Sequence, residues 1–406
     1  MRRLITAAWK NARSVVRQRV ATCAVFVAVA SAGMMWQAVH VRSQSNPPFD
    51  TIEKLGEALF FDVNLSKNRT EACASCHSPD RAFTDPRSSD GVGRAVSVGD
   101  DGHSLGDRNA PTAAYAAFSP TFRIKAKGKP VGGYFHDGRA STLEDQAAGP
   151  PLNPIEMEMP DKAAVAARIK VNAAYVTAFN ALFGAGTLQD ADAAYAAMTK
   201  SIAAFERTDV FQPFDSKYDR SLRGEAQLTE QEELGRLLFF SSQFSNCSQC
   251  HKLRTFGGAE RETFSNYEYH NIGTPVNMAV RAHNGSAPGR VDRGLQENPA
   301  ASTEANAGKF KVPTLRNVAV TAPYMHNGVF NDLETVVKFY NKYNSKNPRH
   351  KINPETGAAW APPEVAETIS KKELESGSAL NSKRVKALVA FLKTLTDKRY
   401  EHLLKP

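Results

Sequence analysis

A mostly α-helical fold made of two related halves is what this 406-residue sequence predicts, and three observations predict it. The pentapeptide Cys73-Ala74-Ser75-Cys76-His77 in the first half has a counterpart in the second, Cys247-Ser248-Gln249-Cys250-His251. Segments on either side of the two pentapeptides also recur. Elsewhere apolar residues follow i, i+3, i+4, i+7, as in Leu333, Val336, Val337 and Tyr340 or Val385, Leu388, Val389 and Leu392, while β-type alternation is scarce.

In Cys-x-x-Cys-His the two thiols lie on one side of a helical turn, placed to form thioethers with both vinyl groups of a haem. The adjacent His then offers a ring nitrogen to the iron. The competing reading is a zinc site built from two Cys-x-x-Cys knuckles, and the extra His after both pairs favours haem. The predicted architecture is therefore two cytochrome c-like haem domains related by internal duplication, with long loops, preceded by an N-terminal hydrophobic segment.

The chain begins with a basic flank, 1–19, followed by an apolar run without charge, 20–39, and a linker, 40–48, ending at Pro47-Pro48. The formal charge of +9 belongs to this end. Residues 1–42 hold seven of the 51 Lys and Arg and no acid, so the remainder carries 44 basic against 42 acidic side chains. A nearly neutral body gives no argument for nucleic acid. The basic flank followed by an apolar run predicts export to the periplasm, with 20–39 acting as a cleaved signal or a retained inner-membrane anchor. Cys23 falls inside that run and reads as inert.

The first half, 49–212, opens with Leu55-Gly56-Glu57-Ala58-Leu59-Phe60-Phe61, echoed by Leu234-Gly235-Arg236-Leu237-Leu238-Phe239-Phe240 in the second half, 213–400, before a short tail, 401–406. Tyr134-Phe135-His136-Asp137-Gly138 is echoed by Tyr324-Met325-His326-Asn327-Gly328. Each echo leads to a predicted helix start with capping-box spacing, Ser141 with Glu144 and Asn331 with Glu334. Residues 161–205 read as helices closing the first half. The Gly-, Pro- and Asp-rich stretches Asp85–Asp107 and His283–Lys309 read as functional loops.

His77 and His251 are the expected axial ligands of haem 1 and haem 2, and the opposite axial position decides function. A Met there fills the site and raises the reduction potential, suiting electron transfer; an open position admits peroxide. The repeat puts Met325 where the first half has Phe135, so a thioether is available to haem 2 and none to haem 1. Met278 is the alternative ligand.

The run from Tyr134 to Ala147, with Gly149-Pro150 and Asn153-Pro154-Ile155-Glu156-Met157, resembles the bacterial dihaem cytochrome c peroxidase family, which includes the MauG-type enzymes. Phe310-Lys311-Val312-Pro313-Thr314-Leu315-Arg316-Asn317, Arg108-Asn109-Ala110-Pro111-Thr112 and Ala204-Phe205-Glu206-Arg207-Thr208 extend the resemblance over about 49–400. It implies reduction of hydrogen peroxide to water with electrons from a small c-type cytochrome or cupredoxin, and dimers are frequent in the family. Glu156 matches its catalytic Glu and Gln146 its distal-pocket Gln. Moving a proton from the inner to the outer peroxide oxygen needs a carboxylate or imidazole over an open iron. A calcium ion is also implied, with Asn109 as side-chain ligand and carbonyls from around Asn306 and Gly308.

Two departures stand out. His136 occupies a position where many relatives have a Trp relay between the haems; it reads either as a relay or as a core histidine. His103 is displaced from the position of a His that caps haem 1 in classical members, so it reads as a loop residue, with capping as the alternative. MauG-type relatives replace the haem 2 Met by Tyr, and Met325 argues against that oxidase chemistry, although Tyr324 lies next to it. A non-enzymatic dihaem carrier is the third reading, in which Glu156 and Gln146 have no task.

Overall fold

Helix geometry in the computed structural model, which describes residues 49–252 and 260–405, is set by small residues where helices cross. Twelve α-helices lie among the described residues. The first half has α1 (Ile52–Phe60), α2 (Cys73–Cys76), α3 (Leu143–Ala147), α4 (Lys162–Lys170), α5 (Ala173–Phe183) and α6 (Ala191–Glu206). The second has α7 (Lys217–Leu222), α8 (Glu230–Phe240), α9 (Met278–His283), α10 (Leu333–Asn344), α11 (Lys371–Leu374) and α12 (Ser382–Lys393). The fold is mostly α. Among the described residues, strands are confined to two antiparallel ribbons of two or three residues a side, β1 (Arg123–Lys125) with β2 (Lys129–Val131) and β3 (Tyr269–His270) with β4 (Phe310–Lys311). No helix among the described residues is long and apolar enough to cross a membrane. The predicted flank, apolar run and linker, with Cys23, lie outside the described residues.

Each half contains one close helix crossing. On α1, Leu55, Gly56, Leu59 and Phe60 face inward against α6, and a Cβ on Gly56 would stand 1.8 Å from the Ser201 carbonyl oxygen. The second half repeats the relation: a Cβ on Gly235 of α8 would stand 1.9 Å from the Ala387 carbonyl oxygen of α12. Only hydrogen fits at either position. Around these crossings lie two cores. Leu55, Phe60, Val165, Ile169, Phe179 and Met198 belong to the first, closed by Phe211 and Phe214; Leu238, Phe239, Phe264, Phe339, Leu388 and Phe391 belong to the second.

The helix starts fall one residue later than the spacing predicts. Thr142 caps α3 in a reciprocal box with Asp145, which frees Glu144 for a two-point ion pair with Arg207 at 2.7 and 3.0 Å. Asp332 caps α10 by accepting from the Glu334 and Thr335 amides, while Asn331 is held by Glu355. In both cases the residue with the better side-chain reach to the first-turn amides takes the cap.

The halves interlock through charge and aromatic contact. Arg316, 1% exposed, meets Asp219 at 2.9 Å through Nη2, donates to the Glu262 carbonyl, and sits over the rings of Tyr115, Phe214 and Phe264. The Tyr115 hydroxyl donates to Asp397 at 2.6 Å, and Asp397 also accepts from Asn317. Arg108 reaches Asp137 in its own half and Asp292 in the other, each at 2.6 Å.

Candidate active site

Both pentapeptides open onto one continuous cavity of about 530 Å³. Cys73, Cys76 and His77 line its first lobe; Cys247, Cys250 and His251 line its second. The four thiols are unbridged. The two imidazoles are fixed in the same way: the Phe83 carbonyl lies 3.2 Å from His77 Nδ1, and the Phe264 carbonyl lies 3.0 Å from His251 Nδ1. A ring that donates from Nδ1 keeps Nε2 as its lone-pair nitrogen. Burial lowers the pKa of both rings, holding them in the neutral form that ligates a metal. Apolar walls, paired thiols and oriented imidazoles fit a c-type haem in each lobe.

Over the first lobe stand Gln146 from α3 and Glu156 from the loop after it, both lining the cavity. The loop is pinned at Glu156, whose amide donates to the Asn153 carbonyl and whose carbonyl accepts from Asp100 at 2.8 Å. Burial raises the Glu156 carboxyl pKa, with Arg139 and Asn153 opposing it only in part. Such a group can hold a proton and release it.

The two sequence echoes form the same local structure. Tyr134 bridges to Ala140 and Tyr324 to Phe330, and the residue after each Tyr has a left-handed backbone, φ 59° at Phe135 and 71° at Met325. Both side chains line the cavity. A positive φ is uncommon outside glycine, and here it aims the side chain that follows each tyrosine. Met278 is 72% exposed and not among the cavity residues. His103 is exposed, its amide donating to Asp101, while Ser97, Val98 and Gly106 of the same loop reach the cavity.

A column of rings lines the cavity. His136 Nε2 is 2.9 Å from the Asn109 carbonyl and its ring meets His326 edge-on at 6.5 Å. His326 stacks on Phe310 at 3.5 Å and 12°, and the Arg108 guanidinium lies 5.5 Å from the centroid of the Phe310 ring. Burial lowers the His136 pKa to about 4, so the ring is neutral and Nε2 donates. Trp360 packs elsewhere, against Phe330 and Phe339.

For calcium, no group of three or more His, Cys, Asp and Glu side chains is arranged around a metal position among the described residues. Asn109 spends its amide nitrogen on the Arg94 and Ala95 carbonyls, which turns its oxygen away from them. The Asn306 side chain accepts from Lys309. A cation here depends on Asn109 Oδ1 and main-chain carbonyls alone.

Several residues in and around the cavity have contacts that the sequence did not suggest. Lys311 is half-buried with its ammonium on the Gly133 carbonyl, and desolvation lowers its pKa to about 7. Arg87 ties Glu71 and Asp85 to the Cys76 sulfur, 3.1 Å away. Glu206 faces the first lobe from α6. Only Glu206 left a readable signal, as an acid in line with Met198 and Ile202 on one helix face.

A mostly helical protein whose cavity is lined by two Cys-x-x-Cys-His motifs suited to c-type haem is the class that fold and cavity define. Residues 50–227 match the family model described as di-haem cytochrome c peroxidase. The chain is 56% identical over 362 residues to the methylamine utilization protein MauG of Paracoccus denitrificans, covering 89% of this chain and 92% of that protein. It is 29% identical to the cytochrome c551 peroxidase of Nitrosomonas europaea, over 90% of this chain and 87% of that one. The crystal structure of the dihaem peroxidase BthA from Burkholderia thailandensis superposes with a TM-score of 0.75 at 32% identity, covering 87% of this chain and 88% of that chain. The protein belongs to the bacterial dihaem cytochrome c peroxidase and MauG superfamily, a family of dihaem redox enzymes.

Proposed function

We propose that this protein is a periplasmic peroxidase that reduces hydrogen peroxide to water, taking electrons one at a time from a small c-type cytochrome or cupredoxin. Haem 1 belongs on Cys73, Cys76 and His77, and haem 2 on Cys247, Cys250, His251 and Met325, in halves 49–212 and 213–400 that arose by duplication. When bound, the haems supply an open iron for peroxide in the first lobe and a store for one electron in the second.

The observation that carries the proposal is the asymmetry of the two lobes. Glu156 and Gln146 overhang the first, while the second receives the Met325 side chain on a backbone matching that of Phe135. Glu156 accepts the proton of the inner peroxide oxygen and delivers it to the outer one, which leaves as water. Two electrons and two protons complete the conversion of one peroxide into two waters. Gln146 hydrogen-bonds the bound peroxide and holds Glu156 in place, and His136 stands on the path between the lobes. Asn109 Oδ1 with the Asn306 and Gly308 carbonyls would hold a calcium ion; metal analysis of the purified protein tests it. The N-terminal run 20–39 exports the chain, as a signal or an anchor.

The test is peroxide turnover with a reduced small cytochrome c or cupredoxin. Glu156→Gln abolishes it while both haems remain; unchanged turnover overturns the assignment. A second reading, a MauG-like oxidase that draws electrons from a protein or small molecule, is favoured by the 56% identity to the Paracoccus protein. Peroxide consumption that oxidises no small cytochrome or cupredoxin decides for it.

A further inference from the structure

Helix α6 ends at Glu206, which shares its cavity-facing side with Ile202, one turn earlier. The residue is 5% exposed. Its neighbour Arg207 turns away to Glu144, and among the described residues no hydrogen bond or ion pair reaches the Glu206 carboxyl. Buried acids are ordinarily paired. Glu71, the other buried acid at this lobe, is engaged by Arg87 at 2.5 Å, and Glu156 lies near Arg139 and Asn153. The titratable and charged groups around Glu206 are Arg207 on α6, Glu144 on α3, Tyr134 on the echo loop and Cys73 on α2. Of these, the only cation is already bound to a carboxylate.

An unpaired carboxyl in the wall of a redox cavity feels the charge inside that cavity with little screening. We propose that Glu206 is the proton acceptor coupled to haem 1: when the haem gains one electron from the donor, the carboxylate takes one proton from solvent, and oxidation releases both. The inference rests on haem 1 filling the first lobe. Glu206 thereby keeps the lobe's net charge constant, a positioning role for protons distinct from the peroxide chemistry of Glu156. Burial raises its pKa to about 8, with Arg207 opposing and Glu144 reinforcing the shift, so the group can hold a proton.

Spectroelectrochemical titration of haem 1 against pH tests this in the holoprotein. In the wild type the midpoint falls by up to about 59 mV per pH unit, the value for one electron and a tenfold change in proton activity. Glu206→Gln flattens that slope and Glu206→Asp restores it. A pH-independent wild type, or an unchanged slope in Glu206→Gln, overturns the proposal, and in the latter case a slope lost in Glu71→Gln assigns the proton there. If the variants lose haem, reduced-minus-oxidised infrared spectra of the wild type decide. A buried protonated carboxyl that appears on haem 1 reduction supports the assignment, and no carboxyl change overturns it. Haem analysis separates the underlying reading, because a protein carrying one haem refutes occupancy of the lobe itself.

Discussion

Replacing Gly235 by Ala sets two effects of opposite sign against each other. In a helix interior, Ala is favoured over Gly by about 1 kcal/mol. The new methyl, however, would stand 1.9 Å from the Ala387 carbonyl oxygen and 2.7 Å from the Phe391 Cβ. Carbon and carbonyl oxygen approach no closer than about 3.3 Å, so α8 and α12 must part by more than 1 Å. Main chain cannot swing aside as a side chain would. Overpacking of this kind costs about 1–3 kcal/mol, and the backbone contact puts it at the upper end, leaving a net loss of about 2 kcal/mol. Phe239, Leu388 and Leu392 carry this crossing to the wall of the second lobe, so the haem 2 Soret band should shift with it. Denaturant unfolding followed by circular dichroism measures the difference. A variant equal to the wild type or more stable refutes the crossing geometry. Gly56→Ala, facing the Ser201 carbonyl at 1.8 Å, should behave alike in the first half.

Arg316→Met strands the buried Asp219 carboxylate and should cost about 3–5 kcal/mol, while Asp219→Asn added to it recovers part of the loss. Additive losses in the two variants would show the pair to be uncoupled. Met325→Leu should lower the haem 2 midpoint potential, since a thioether ligand raises it; an unchanged potential excludes Met325 as the ligand. Acid should unfold the protein. Burial disfavours ionisation of Asp137, Asp219 and Asp292, but Arg108 and Arg316 outweigh it and leave all three carboxyl pKa values lowered. Their stabilisation is present above the ordinary value near 3.8 and is lost as pH falls through the depressed values. Asp397, raised to about 6 by burial, has the opposite sign, and its contribution is lost as pH rises from about 4 to about 6. Urea midpoints between pH 2 and 7 that show no loss toward acid refute the network's role.

What the sequence revealed depended on how local each signal was. The pentapeptides, the helix periodicity and the recurring Tyr-x-His motif are complete within a few residues, so Cys73, His77, Cys247, His251 and Met325, which line the cavity, stood out in the sequence. The helix caps were displaced by one residue because Ser141 and Thr142, or Asn331 and Asp332, are near-equal candidates, and distant partners such as Arg207 and Glu355 settle the choice. Phe310 on His326 and Arg87 on Cys76 were not legible at all, since each joins segments whose meeting only the fold decides. Glu206 lay between these cases: its helix face was readable, but the absence of a partner for its carboxyl was not.

The bond between Tyr115 and Asp397 spans 282 residues, and it is accompanied by Asn317 and by Lys398 on Asp215. A chain made from its N-terminus can form the α1–α6 crossing long before Asp397 exists. The two halves cannot be latched until that residue has been synthesised, and contacts so distant in sequence are slow to form. If the chain is exported as proposed above, the order of synthesis works as a timer: the stretch that carries Asp397 sets when the molecule becomes too rigid to be threaded.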